Sequence, residues 1–440
     1  MFPLLQRIVS IKEEEVKALL WSWAYFFCLL CAYYIIRPLR EEMGVAGGVW
    51  NIPWLYTGTL AAMAIAHPIF SWLVVKQPRI RFVTITYRFF IGCLLLFFIL
   101  LKFSTDEQNI WIGRVFYIWT AVFSLYIVSI FWGFMADIFH IDQGKRLFGF
   151  IGVGGTLGAI AGSTITALLA TRIGPVQLLL FSVVLLEIGV QCVKQLARFS
   201  TAMPGSQSSE GKERSTGIIG AEEPIGGKLF AGISHLLRSP YLLGIAAYIL
   251  CYTTLSTFLY MQQADIADRL FVDRALRTTF FAQLDLAVNI LTLLIQVFLT
   301  GRIIKALGIG LTLALLPILS IFGFAGLGFW PSVTIFVLFQ VSRRAGNYAI
   351  AKPTRETLYT VVEREDKYKS KNFIDTFVYR AGDQVSVWAQ WLLHFFGLTM
   401  AGIAFTAVPI AGIWLVVGLW LGKKQSLMAI IQGKGNTDVK

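Results

Sequence analysis

Apolar runs of about twenty residues recur from one end of this 440-residue chain to the other, more than any soluble core of that size can bury. Wound as a helix at 1.5 Å per residue, each run spans about 30 Å of hydrocarbon, where helices keep every backbone N–H and C=O satisfied. Hydrophobic residues make up 56% of the sequence and charged residues only 14%, which excludes a water-soluble fold and makes the chain a polytopic membrane protein. Many of its aromatic residues stand near the ends of the runs, as an interfacial belt requires.

Turn residues and charges divide the runs into expected spans at Val16–Pro38, Ile52–Val75, Phe82–Lys102, Ile112–Met135, Leu147–Thr171 and Val176–Leu196. Six more follow at Pro240–Gln263, Thr279–Thr300, Ile309–Trp330, Ser332–Ala351, Asn372–Phe396 and Ile403–Leu421. Between the two sets lies a Ser-, Gly- and Glu-rich stretch with too little apolar surface to fold. The expected domains are an N-terminal six-helix bundle over 1–197, a cytoplasmic linker over 198–238 and a C-terminal six-helix bundle over 239–440. The basic segments Ser71–Phe82 and Gly301–Leu311 fall at corresponding places in the two halves, as inner loops. The whole is an all-α membrane protein of twelve transmembrane helices in two six-helix bundles, the plan of a major-facilitator-type transporter, with a substrate site between parallel repeats.

Lysine and arginine set the orientation. They crowd the segments that share a side with the N-terminus, while the other side holds few, chiefly Arg172, Arg269, Arg274 and Arg277. The positive-inside rule then puts both termini in the cytoplasm, with the bacterial inner membrane as the expected location. It also accounts for most of the net charge of +13 without a nucleic-acid partner. Met1 to Glu15 is polar and amphipathic, so no cleavable signal peptide is expected.

Ionisable residues inside a membrane usually face a polar cavity. The first run continues into YYIIRPLREEMG (Tyr33–Gly44), where Arg37, Arg40 and Glu41 share one helical face; alternatively the helix ends at Pro38 and the charges sit among headgroups. The eighth run carries Asp285, Asn289, Thr292 and Gln296 on one stripe, and the tenth carries Arg343 and Arg344 followed by Asn347. Guanidinium forks match carboxylate and phosphate, so the arginine pair points to an anion unless acids of other helices, such as Asp285 or Glu187, neutralise it. In the eleventh run Arg380 and Asp383 stand where they can pair with each other. Tyr248, Tyr252, Ser256, Tyr260 and Gln263 form a gentler stripe on the seventh, suited to stacking a planar ring or to helix packing. The expected substrate-binding set is therefore Arg37, Arg40, Glu41, Asp285, Asn289, Arg343, Arg344, Asn347, Arg380 and Asp383.

Gly154, Gly158 and Gly162 recur every four residues in the fifth run, the pattern of close helix packing, expected against the opposite half. No catalytic constellation, metal set or cofactor motif is present: the histidines are scattered, and Cys28 and Cys31 read as small hydrophobes. The chain is not expected to be an enzyme. The expected function is secondary transport of a small organic or phosphorylated anion by a monomer in the lipid bilayer. The alternatives are a non-transporting receptor or assembly factor on the same fold, or transport of an unrelated small metabolite.

At Tyr33–Gly44, at Phe131–Gly162 and at Lys352–Gln384 the chain resembles the nucleotide (ATP/ADP, or NTP/NDP) translocase-like branch of the major facilitator superfamily. The pattern W-x-F-x-x-(D/E), here Trp132 to Asp137, followed by (Q/E)-x-K-R-x-x-(G/A), here Gln143 to Gly149, leads into the Gly-rich fifth helix and is fairly specific to that branch. The resemblance covers nearly the whole chain. It implies twelve spans and, in characterised members, nucleotide exchange with basic side chains holding the phosphates. Arg37, Arg40, Asp137, Lys145 and Arg146 lie in the matching motifs, and the last three are expected to act at the inner loops or in gating.

Overall fold

The protein is described from a computed structural model, which covers residues 15–139, 141–200, 239–362, 370–371 and 373–437. The amphipathic opening and most of the expected linker lie outside these residues. The described chain is helical: α1 (Val16–Ala46), α2 (Ile52–Lys76), α3 (Arg79–Phe103), α4 (Asp106–Ile138), α5 (Ile141–Ile173), α6 (Leu178–Ser200), α7 (Pro240–Leu270), α8 (Arg274–Phe298) and α9 (Thr300–Phe329). Then follow α10 (Val333–Gly346), a π-helical turn (Asn347–Ala351), α11 (Lys352–Thr357), a second π-helical turn (Ile374–Val378), α12 (Tyr379–Phe395) and α13 (Met400–Thr437). Nine helices among the described residues are long and apolar enough to cross a membrane. The helices expose large apolar side chains such as Phe89, Val184, Phe322 and Val416, as a protein whose solvent is hydrocarbon can.

Two boundaries differ from expectation, at Gly308 and within the tenth and eleventh runs, whereas α1 runs through Pro38 to Ala46, carrying Arg37 through Glu42 within one helix as the first of the two readings of Tyr33–Gly44 expects. A proline inside a membrane helix is tolerated because neighbouring groups re-satisfy the freed carbonyl. Residues 301–307 of the expected inner loop are helical, and the bend comes at Gly308, whose φ of 69° is open to glycine. The tenth and eleventh runs are interrupted by the π-helical turns, which insert a residue without changing composition.

The chain divides into two compact units, one taken from Met1–Ala221 with Leu270–Leu286, the other from Glu222–Arg269 with Ala287–Lys440. In the first, α1 is central and packs on α4, α5 and α6. A Cβ on Gly154, Gly158 or Gly162 would meet the backbone oxygen of Trp23, Phe27 or Cys31, respectively. The small stripe of α5 therefore lies against α1 of its own unit, because only bare Cα atoms let two helix backbones come that close. Phe26 stacks on Phe131 at 4.1 Å, and the buried Tyr25 hydroxyl donates to Tyr87 at 2.6 Å, which donates on to the Ile127 carbonyl at 3.3 Å.

In the second unit α9 packs along α13, and Trp414 of α13 lies against Tyr248 and Tyr252 of α7. The Tyr248 hydroxyl donates to the Leu313 carbonyl at 3.0 Å. Tyr248 and Tyr252 of the α7 stripe thus form part of this unit's packing.

Candidate functional site

In the first unit the charged end of α1 is a network. Arg37 Nη1 stands 3.4 Å from Asp285 Oδ1 on α8. Arg40 donates to Glu41 at 3.0 Å and to the Tyr117 carbonyl at 3.4 Å, and its guanidinium lies 4.0 Å from the centre of the Tyr117 ring. Glu42 has no exposed surface and accepts from Arg274 Nε at 3.0 Å and Nη2 at 3.2 Å, with Arg277 Nη2 at 3.7 Å. Arg274 and Arg277, expected in an outer loop, belong to the first turn of α8, because each finds its counter-charge in Glu42. A cavity of about 210 Å³ adjoins this network, lined by Met43, Ala46, Asp106, Asn109, Ile110 and Arg274.

At the other end of α1, Arg146 donates to both oxygens of the buried Glu15, at 2.9 and 3.4 Å, and Gln143 donates to the same carboxylate at 2.9 Å. Asp137 forms an ion pair with Arg79. The matching-motif residues Asp137 and Arg146 thus bind neighbouring helices to each other, while the Lys145 side chain lies outside the described residues.

In the second unit, Arg343 is 1% exposed, and its Nη2 donates to Ser256 Oγ on α7 at 3.0 Å. Its guanidinium lies 5.7 Å from the centre of the Tyr252 ring, and Tyr379 stands beside Tyr252 at 6.1 Å. The buried Nε and Nη1 have no hydrogen-bond partner, and no carboxylate among the described residues comes within ion-pair distance of Arg343. Asp285 and Glu187, the acids that could have neutralised it, pair with Arg37 and Arg88. One turn back on α10, Gln340 donates to Gln263 of α7 at 2.7 Å. Ser256 and Gln263, the polar half of the α7 stripe, are therefore the residues that meet α10.

Asp383 accepts from Thr257 at 3.3 Å, and the exposed Arg380 stays outside ion-pair distance of it. Asn289 Nδ2 and Thr292 Oγ1 on α8 are buried without partners, whereas Gln296 reaches the Tyr348 carbonyl at 3.5 Å. Arg344 is half-buried beside Arg343, and the buried Asn347 opens the first π-helical turn. The second π-helical turn leads directly into Tyr379 and Arg380. Such turns are frequent at functional sites. They flank both polar clusters of this unit, a feature no spacing argument could find.

Chemically, a buried guanidinium with two nitrogens free to donate and aromatic rings around it can hold an anion.

The model of the family described as TLC ATP/ADP transporter matches residues 101–429. The ADP,ATP carrier protein 1 of Chlamydia trachomatis is 23% identical over 93% of this chain and 88% of its own length. The plastidic ATP/ADP-transporter of Solanum tuberosum is 21% identical over 96% of this chain and 74% of its own. Among solved structures, a bacterial homologue of the iron transporter ferroportin in an inward-facing state aligns with a TM-score of 0.61 at 13% identity, covering 93% of this chain and 98% of that one. An auto-inhibited POT family peptide transporter aligns at 0.60 and 12%, covering 94% and 96%. These two share the fold alone. An integral membrane transporter and not an enzyme, this chain belongs to the TLC ATP/ADP transporter family.

Proposed function

We propose that this protein exchanges ATP for ADP, or closely related nucleotides, across a bacterial inner membrane. Twelve spans in two six-helix halves, 1–197 and 239–440, joined by a cytoplasmic segment over 198–238, would give it alternating access with both termini inside. Support comes from the family and from the two carriers it is similar to over most of its length.

The observation that carries this reading is Arg343. A guanidinium shielded from solvent, with no carboxylate partner among the described residues and two nitrogens left without an acceptor, is costly in a membrane protein unless an anion completes it. A phosphate oxygen supplies the charge and the acceptors together. Tyr379, half-buried beside Tyr252, offers a face for the rest of a planar ligand. Arg344, Asn347, Arg380, Asp383 and Asn289 complete the set on this unit, and Arg37, Arg40, Glu41 and Asp285 form the corresponding set on the other. Asp137, Lys145 and Arg146 act in gating, and the glycine stripe serves packing.

The test is counterflow. Proteoliposomes preloaded with unlabelled ADP should accumulate labelled ATP, and empty ones should not. Equal uptake with and without internal nucleotide, or none from a library of nucleoside di- and triphosphates, would overturn the proposal.

A further inference from the structure

Half-way along two membrane helices of the first unit, an ion pair faces outward. Arg88 Nη2 of α3 donates to Glu187 Oε1 of α6 at 3.3 Å, and Gln191 donates to the same oxygen at 2.6 Å. The two charged side chains are 52% and 40% exposed. Each stands about 14 Å from the first residue of its helix, near the middle of a hydrocarbon layer about 30 Å thick.

Charges at that depth almost always turn into the bundle. These do not, and lipid tails can satisfy neither Glu187 Oε2 nor the Arg88 N–H groups that make no bond to the described residues. The surrounding surface is exposed and apolar: Ile85, Phe89 and Leu96 on α3, Phe181, Val184 and Ile188 on α6. Gly92 lies on the same α3 stripe, and a Cβ there would meet nothing within 4 Å, so a second helix can come close.

We propose that this face is the interface of a symmetric dimer of this chain. The patch carries one positive and one negative group side by side, so it is complementary to itself across a two-fold axis. Arg88 then meets the partner's Glu187, the second Glu187 oxygen accepts from the other copy, and the apolar rim closes around four charges that lipid cannot hydrate. The transport site lies elsewhere, so each chain transports by itself and the dimer shelters the pair.

Subunit counting by single-molecule photobleaching, at increasing lipid dilution in bilayers of neutral lipid, tests this. Two bleaching steps are expected for the parent protein. Arg88→Leu/Glu187→Leu should weaken dimerisation at least tenfold and bleach in one step. The swap Arg88→Glu/Glu187→Arg, which restores self-complementarity, should remain dimeric, and nucleotide exchange by both variants would certify their fold. A monomeric parent, or a leucine variant that stays dimeric, overturns the proposal. So does native mass spectrometry showing an anionic lipid held on a monomer through Arg88, which would make a headgroup the occupant.

Discussion

Glu42 on α1 is shut off from solvent and held in a fork by Arg274 of α8, Nε to Oε1 at 3.0 Å and Nη2 to Oε2 at 3.2 Å. Breaking a fully buried pair costs about 3–5 kcal/mol. Arg274 is 37% exposed and Arg277 remains 3.7 Å from Glu42, so Arg274→Ala should cost less, about 2 kcal/mol. Denaturant unfolding in detergent measures it. An Arg274→Ala protein as stable as its parent would mean the fork contributes nothing.

The glycines of α5 make a second prediction. A methyl on Gly158 or Gly162 lands on a carbonyl oxygen of α1, so each alanine variant should lose about 1–3 kcal/mol from overpacking. Gly152→Ala, where a Cβ meets nothing within 4 Å, should lose nothing and gain helix propensity. Thermal unfolding of the three variants side by side distinguishes a packed seam from a tolerant surface.

Orientation can be checked by single cysteines read with a membrane-impermeant reagent in intact cells. Asn109→Cys should react from outside, whereas Gln207→Cys should react only after permeabilisation. Equal labelling of both from outside would overturn the proposed topology.

Much of this was legible in the sequence, for identifiable reasons. Apolar length and the four-residue glycine spacing are local signals, and both correspond to helices and helix contacts in the structure. The α7 stripe showed Ser256 and Gln263, since a polar residue in an apolar run must turn toward protein. Partners were not legible. Arg37 and Asp285 are far apart in the chain, and nothing in either segment names the other. Glu42 stood off the face shared by Arg37, Arg40 and Glu41 and drew no role, and Arg274 read as a loop charge, because their pairing exists only once α1 and α8 meet. The π-helical turns beside Arg343 and Tyr379 escaped altogether, since an added residue in a helix leaves periodicity almost unchanged over so short a run.

Arg343 is where the account is most exposed to test. Thermal unfolding in detergent should show ATP and ADP stabilising the parent protein. Arg343→Gln should keep its melting temperature without ligand, because no carboxylate is left behind, and should bind nucleotide about 10- to 150-fold more weakly, the worth of a charge-assisted hydrogen bond of about 1.5–3 kcal/mol. An Arg343→Gln protein that unfolds while no nucleotide stabilises the parent would contradict it, making Arg343 a structural charge and leaving the anion without a site.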